Sequence, residues 1–214
     1  MKEQAALTPE NMLQAYRRGV FPMSESADSA VLHWVEPQLR GIFPLQGFAI
    51  SRSLRRRIRA GGYEVTCDRA FMDVVRACAA RPQTWINQDL LELYQALHRD
   101  GHAHSVEVWI DGALAGGVFG LTIGRAFMGE SMFSLRTDGS KIALAYLVDR
   151  LRRGGFVLFD TQFLTPHLAS LGAVEIPQAD YLAQLKSALT GEADFTGPAV
   201  PQPSGLMQLS TQMS

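Results

Sequence analysis

Residues 104–133 read HSVEVWIDGALAGGVFGLTIGRAFMGESMF, three apolar and β-branched runs separated by two short polar breaks. The breaks are Asp111-Gly112 and Gly124-Arg125, and a two-residue Asp-Gly loop between such runs is a hairpin signal. The stretch is therefore expected to fold as an antiparallel meander of three strands, His104 to Ile110, Ala113 to Ile123 and Ala126 to Phe133. Its last strand carries a single carboxylate, Glu130, among Phe127, Met128, Met132 and Phe133. Strict alternation would turn Met128, Glu130 and Met132 to one face, and Phe127, Ser131 and Phe133 to the other. Glu130 is then expected in a pocket walled by methionines; an ordinary ion-paired position at the rim is the alternative.

Working outward toward the N-terminus, Gln88 to Arg99 has helical spacing and ends at Gly101. Before it, Asp68 is expected to cap a helix running to Ala79, and Tyr63 to Cys67 alternates like a strand. On the other side, Ser140 to Arg153 reads as a helix stopped by Gly154-Gly155, and Phe156 to Asp160 as a central, buried strand. A short helix Pro166 to Leu171, a strand Ala173 to Ile176 and a helix Asp180 to Leu189 follow. This order is that of an α+β, acetyltransferase-like (GNAT-like) domain with a mixed sheet, expected over residues 51–190. Residues 1–50 are expected to form a small N-terminal α+β domain. It would hold a helix from Thr8 and Pro9 to Arg18, a polar linker from Ser24 to Ser29, and extended pieces near residues 31–34 and 41–45. Residues 191–214, rich in Gly, Pro, Ser and Gln without periodicity, are expected to be a flexible tail.

The 214 residues are 47% hydrophobic, enough for a sizeable core, and the net charge of -1 excludes a uniformly basic surface. No charged-then-apolar leader and no long apolar run is present, so a cytoplasmic protein without a membrane span is expected. Cys67 and Cys78, the only cysteines, form no CxxC pattern and are expected as buried small hydrophobes.

Charge is concentrated locally instead. Residues 51–62 hold five arginines and no acid. Arg52, Arg55, Arg56 and Arg59 fall at i, i+3, i+4 and i+7, one stripe of a helix, opposite Leu54 and Ile58. Like charges at that spacing repel, so the stripe points to a phosphate backbone, with a merely solvated face as the alternative. Asp160 and Gln162 end the central strand, where α/β-type sites form, and either work as a polar pair or cap the following turn. His102 and His104 lack a third ligand nearby and are expected as a structural pair rather than a metal site. Ser131 and Ser134 lack a nucleophile elbow, and the glycines of residues 116–120 do not open a helix. Residues 136–141, Arg-Thr-Asp-Gly-Ser-Lys, precede a helix and resemble a coenzyme A loop, except that Lys141 fills its last small position.

A set of blocks resembles the bacterial leucyl/phenylalanyl-tRNA-protein transferase family. They are Ala15-Tyr16-Arg17-Arg18-Gly19-Val20-Phe21-Pro22, Thr84-Trp85-Ile86, residues 101–109 (GHAHSVEVW), residues 129–134 (GESMFS), Asp160-x-Gln162, and His167-x-x-Ser170-x-Gly172-Ala173. The resemblance implies transfer of leucine or phenylalanine, and by extension methionine, from aminoacyl-tRNA to the N-terminal amine of a protein beginning with Arg or Lys, marking it for degradation. It implies no cofactor and no metal, and a monomer acting away from membranes. It places Glu130, Asp160 and Gln162 at the reaction centre, and Trp34 and Trp85 at the terminal adenosine. Met132, Leu144 and Phe159 would wall the amino-acid pocket, with Val118 where a larger side chain is expected, and Tyr16 and Ser134 join the substrate-binding set. Arg52, Arg55, Arg56 and Arg59 would then meet tRNA phosphates. Chemically the task is light: the ester is already activated, and about a tenth of an α-amine is unprotonated at pH 7. The expectation is that Asp160 polarises Gln162 or takes a proton through it while Glu130 holds the incoming ammonium. A coenzyme A-dependent N-acetyltransferase and a non-catalytic RNA-binding adaptor are the alternatives.

Overall fold

A computed structural model describes residues 7–27, 29, 31–48, 50–81 and 84–209. The first six residues of the expected N-terminal unit, Asp28 of the expected linker and the last five residues of the expected tail lie outside the described residues.

Helix α1 (Pro9–Arg17) starts where the Thr8 hydroxyl accepts the Asn11 N–H, with Pro9 in the first turn, and the chain leaves it at Gly19 with φ +81°. Strands β1 (Phe21–Ser24) and β2 (Leu32–Val35) form a two-stranded antiparallel ribbon. Strand β3 (Leu39–Ile42) belongs elsewhere: it lies in the large sheet, between strand β8 (Leu158–Gln162) and strand β9 (Val174–Pro177). Residues 39–42 of the stretch expected as a small N-terminal unit thus pair with the large sheet. Met12, Tyr16 and Phe21 also share one apolar cluster with Phe119 and Met128 of that sheet.

Helix α2 (Arg52–Ala60) is capped by Ser51 and buries only Leu54 and Ile58. Strand β4 (Glu64–Cys67) follows, then α3 (Phe71–Ala79) and α4 (Gln88–Arg99), the latter capped by Asn87. Asp68 does not cap α3. It takes φ +58° and turns its carboxylate to the Ser105 N–H and to His104 Nδ1, each at 2.8 Å. The meander is as read: β5 (Ala103–Ile110), β6 (Ala113–Ile123) and β7 (Ala126–Ser134). Asp111 and Gly112 both have positive φ, as a tight hairpin turn of this hand needs. Helices α5 (Gly139–Arg153), α6 (Pro166–Ser170), α7 (Gln178–Ala188) and α8 (Pro203–Leu209) complete the order.

The seven-stranded sheet runs β4-β5-β6-β7-β8-β3-β9, antiparallel except for the β7–β8 pair. One face packs on α1, α3, α4 and α7 through a cluster that includes Tyr16, Val75, Tyr94 and Leu185. The other packs on α2, α5 and α8 through Leu54, Ile58, Leu147 and Leu206. Residues 191–206 are not a free tail, contrary to their composition. Phe195 is buried, stacks on His104 and Phe127 with centroids 4.4 and 5.8 Å away, and its carbonyl accepts from Arg150. Leu206 is buried as well. Among the described residues no helix is long and apolar enough to cross a membrane.

Candidate active site

The site lies where β7 and β8 part. These parallel strands pair over only three positions, Ala126–Met128 with Leu158–Asp160. Each then carries an irregularity. Opposite β7, Phe119 pairs with Ser131 while the adjacent Gly120 pairs with Gly129, so Glu130 is the extra residue of a bulge. Opposite β8, Ile42 pairs with Asp160 while Gly41 pairs with Gln162, which leaves Thr161 as the extra residue. Parallel strands place binding crevices at their C-terminal ends, and a cavity of about 390 Å³ opens between these two. A smaller one of about 50 Å³ lies beside it, and both are lined by Trp85, Glu130, Gln162 and Phe163.

The bulge reverses the alternation expected of β7. Met128 packs in the cluster of Tyr16 and Tyr94, whereas Met132 packs with Leu144 and Phe159 on the opposite face. Glu130 is therefore not flanked by two methionines on one face; Met128 is on its tyrosine side and Met132 walls the cavity. Close approach of the strands permits the bulge. A Cβ at Gly120 would collide with the Met128 carbonyl oxygen, and one at Gly129 would stand 2.8 Å from the Phe159 ring.

The Glu130 carboxylate is only 8% exposed, yet no cation pairs with it among the described residues. Tyr16 donates its hydroxyl to Oε1 in a short hydrogen bond, and Tyr94 donates to Oε2 at 2.9 Å. Burial dominates over these two phenols and lifts the Glu130 pKa to about 7. Burial first, and then the Glu130 charge, push both tyrosines well above their usual range, so they act as donors. Gln162 Nε2 reaches the Tyr16 oxygen at 3.4 Å. Gln162, Tyr16, Glu130 and Tyr94 thus form one chain of hydrogen bonds at the cavity wall.

Asp160 is placed differently from the expectation. It is fully buried and its two oxygens accept Arg40 Nε at 2.9 Å, Arg40 Nη2 at 2.6 Å, the Tyr181 hydroxyl at 2.9 Å and the Gln162 backbone N–H at 2.9 Å. Its link to Gln162 is to the backbone and not to the side-chain amide, so it does not polarise that amide. Four donors, two of them from one guanidinium, leave no lone pair directed at a substrate.

Val118, Met132, Leu144 and Phe159 all line the larger cavity, with Phe43 and Leu168 adding to its apolar wall. Ser134 lines it too, but its hydroxyl donates to the Arg136 carbonyl and caps the Ser140 N–H. Lys141 pairs with Asp138 beside this cap at the start of α5. Trp85 borders both cavities, whereas Trp34 sits on β2 opposite Pro22 and lines neither. On α2, Arg52, Arg56 and Arg59 are exposed and Arg55 half-buried, and none meets a carboxylate among the described residues. His104 spends one nitrogen on Asp68 and the other on the Gly101 carbonyl. Cys78 is buried and Cys67 only half-buried; burial raises their thiols to about 11 and 12.

Four polar side chains of this centre carried no local signal: Arg40, Tyr94, Tyr181 and Thr161. Tyr94 reads as one more residue on the apolar face of α4, and Arg40 as a charge in a short strand.

Comparison with known proteins agrees with the blocks. The profile described as leucyl/phenylalanyl-tRNA protein transferase matches residues 42–186, and that of the N-terminal domain of the same transferase matches residues 5–38. The two meet across β3. A leucyl/phenylalanyl-tRNA-protein transferase of Cereibacter sphaeroides is 60% identical over 210 residues, covering 98% of each chain. One of Ruegeria pomeroyi is 58% identical over 209 residues, 98% of this chain and all of the relative. Among solved structures, FemX is similar with a TM-score of 0.50 at 13% identity, covering 82% of this chain and 70% of that one. The fold is acetyltransferase-like, a mixed sheet whose elements from β4 to α7 follow one another along the chain in the expected order.

Proposed function

The chain belongs to the leucyl/phenylalanyl-tRNA protein transferase family, and from that premise we propose that its larger cavity receives the leucyl or phenylalanyl group of an aminoacyl-tRNA and that Glu130 receives the acceptor amine. The acceptor would be a protein or peptide with an N-terminal Arg or Lys. The observation that carries this reading is Glu130 itself: a buried carboxylate on the border of both cavities, held by two phenols and paired with no cation among the described residues, with its pKa near 7.

In the reaction the amine nitrogen attacks the ester carbonyl carbon, a C–N bond forms, the bond to the ribose oxygen breaks, and the amine's proton passes to that oxygen. Glu130 is suited to the first half. A carboxylate with a pKa of about 7 pairs with the arriving ammonium and accepts its proton at little cost, since the two groups are nearly matched. Tyr16 and Gln162 orient it, and the Gln162 side-chain carbonyl, with no hydrogen bond among the described residues, would hold the amine. Asp160 serves as an anchor for Gln162 and does not take the proton. Phe43, Val118, Met132, Leu144 and Phe159 receive the amino-acid side chain, where each methylene is worth about 1–3 kcal/mol. The terminal adenosine lies against Trp85, over the smaller cavity lined by Phe21 and Met23. Degradation of the acceptor would follow from the new N-terminal residue.

Labelled Phe-tRNA mixed with an Arg-starting peptide tests the reaction. Transfer of label to the peptide amine is expected, and modification of the same peptide by acetyl-coenzyme A is not; acetylation without aminoacyl transfer would overturn the reading. The unpaired arginines of α2 are proposed to hold tRNA phosphates. Replacing Arg52 and Arg56 by Ala should weaken binding to all tRNAs alike and flatten the log–log salt dependence by roughly 0.7–0.9 for each phosphate no longer neutralised. An unchanged slope returns the stripe to a solvated face.

A further inference from the structure

Arg40 is buried to 1% exposure and is the largest fully buried side chain among the described residues. Burial opposes its charge, but the hydrogen bond and charge of Asp160 outweigh that cost and hold it protonated. Its guanidinium lies between two rings, 4.7 Å from the Phe21 centroid and 4.5 Å from that of Tyr181. Two of its nitrogens grip Asp160, and the third, Nη1, donates to the Gly19 carbonyl at 2.9 Å. One planar group therefore joins the end of α1, the end of β8 and helix α7.

What those three points carry is the hydrogen-bond chain around Glu130. Gly19 comes just after the Arg18 cap of the helix that presents Tyr16, and its φ of +81° calls for glycine. Gln162 has φ +57°, a conformation that costs a residue with a side chain about 1 kcal/mol or more, and its N–H is tied to Asp160 Oδ1. The fork thus fixes both the helix end behind Tyr16 and the strained backbone behind Gln162. Between them the Tyr16 oxygen and Gln162 Nε2 are 3.4 Å apart, next to Glu130.

We infer that Arg40 is a positioning residue for aminoacyl transfer: by clamping the Gly19 carbonyl and the Asp160 carboxylate in one fork, it sets the placement of Tyr16 and Gln162 about Glu130. The inference rests on the reading of Glu130 as the amine-capturing group. Only a guanidinium fits the task. Lysine supplies the charge but a single nitrogen, which cannot meet Gly19 and both Asp160 oxygens in one plane.

The test is single-turnover transfer from Phe-tRNA to an Arg-starting peptide, scaled to the folded fraction of enzyme, together with the Kd for Phe-tRNA. For Arg40→Lys the rate constant should fall roughly 30- to 100-fold, as an ångström-scale displacement does, with the Kd within about threefold of wild type. In Arg40→Gly, added guanidinium ion below denaturing concentrations should restore part of the rate. It should do nothing for Arg40→Lys, whose side chain fills the space. A wild-type rate per folded Arg40→Lys molecule would overturn the inference. Should Arg40→Lys not fold, Tyr181→Phe removes one donor to Asp160 and keeps the ring against the guanidinium; a rate lowered roughly threefold or more supports the clamp, and an unchanged one overturns it. Failure of the Glu130 reading shows separately, as full-rate transfer by Glu130→Gln.

Discussion

Asp160 and Glu130 are both carboxylates buried near the parting of β7 and β8, yet they are held in opposite ways. Asp160 meets a bidentate guanidinium, a phenol and a backbone N–H; Glu130 meets two phenols and the edge of two cavities. Both are shut away from water, which costs a charged carboxylate its hydration. Only Asp160 has a full counter-charge to offset that loss, and its four donors, from Arg40, Tyr181 and the Gln162 backbone, take up its lone pairs. Glu130 is held by two phenols, and the more distant Arg40 charge that favours its ionised form is opposed by that of Asp160, so burial prevails and its pKa climbs to about 7. The partner, more than the depth, separates a carboxylate that holds structure from one that can exchange a proton at neutral pH.

The largest effect that could break this comparison belongs to Asp160. Asp160→Asn leaves the Arg40 charge buried without its counter-ion, and removing one partner of such a pair costs about 3–5 kcal/mol. Urea unfolding at neutral pH should show a loss of that size. A loss below about 1 kcal/mol would mean that the pair contributes no more than an exposed one, and Asp160 would lose its status as an anchor.

Much of the scaffold was legible because its signals are local. Thr8 and Pro9 announce α1, Gly101 ends α4, and Asp111-Gly112 sets the β5–β6 turn, each within a few residues of what it controls. The site was legible only in its anomaly, Glu130. What surrounds it depends on partners distant in sequence: Arg40 lies 120 residues from Asp160, Tyr16 114 from Glu130, and Tyr94 36 from Glu130. The bulge at Glu130 likewise reflects how Gly120 meets Gly129 across two strands, which no alternation rule within β7 contains. Composition misled at residues 191–206 because one aromatic, Phe195, anchors a segment otherwise poor in apolar side chains. Asp68 misled because a capping residue type was taken up by Ser105 and His104 instead.

A smaller and more specific effect tests Glu130 from the side of stability. Its folded pKa of about 7 lies above the ordinary value of 4.5, so between those values the folded protein holds a proton that the unfolded chain releases. The associated stability is fully present below about pH 4.5 and is lost as pH rises through 7. Each pH unit between the two values is worth about 1.4 kcal/mol, which makes roughly 3 kcal/mol in all. Glu130→Gln cannot ionise and keeps an acceptor and a donor for the two tyrosine hydroxyls. It should match wild type in stability at pH 4.5, exceed it by roughly 3 kcal/mol at pH 8, and transfer no amino acid at either. Chemical denaturation of the two proteins across this range gives the difference directly. Parallel curves would show that Glu130 ionises as freely in the fold as outside it. The contrast with Asp160 would then be one of shape alone, and the proton would have to leave the amine by another route.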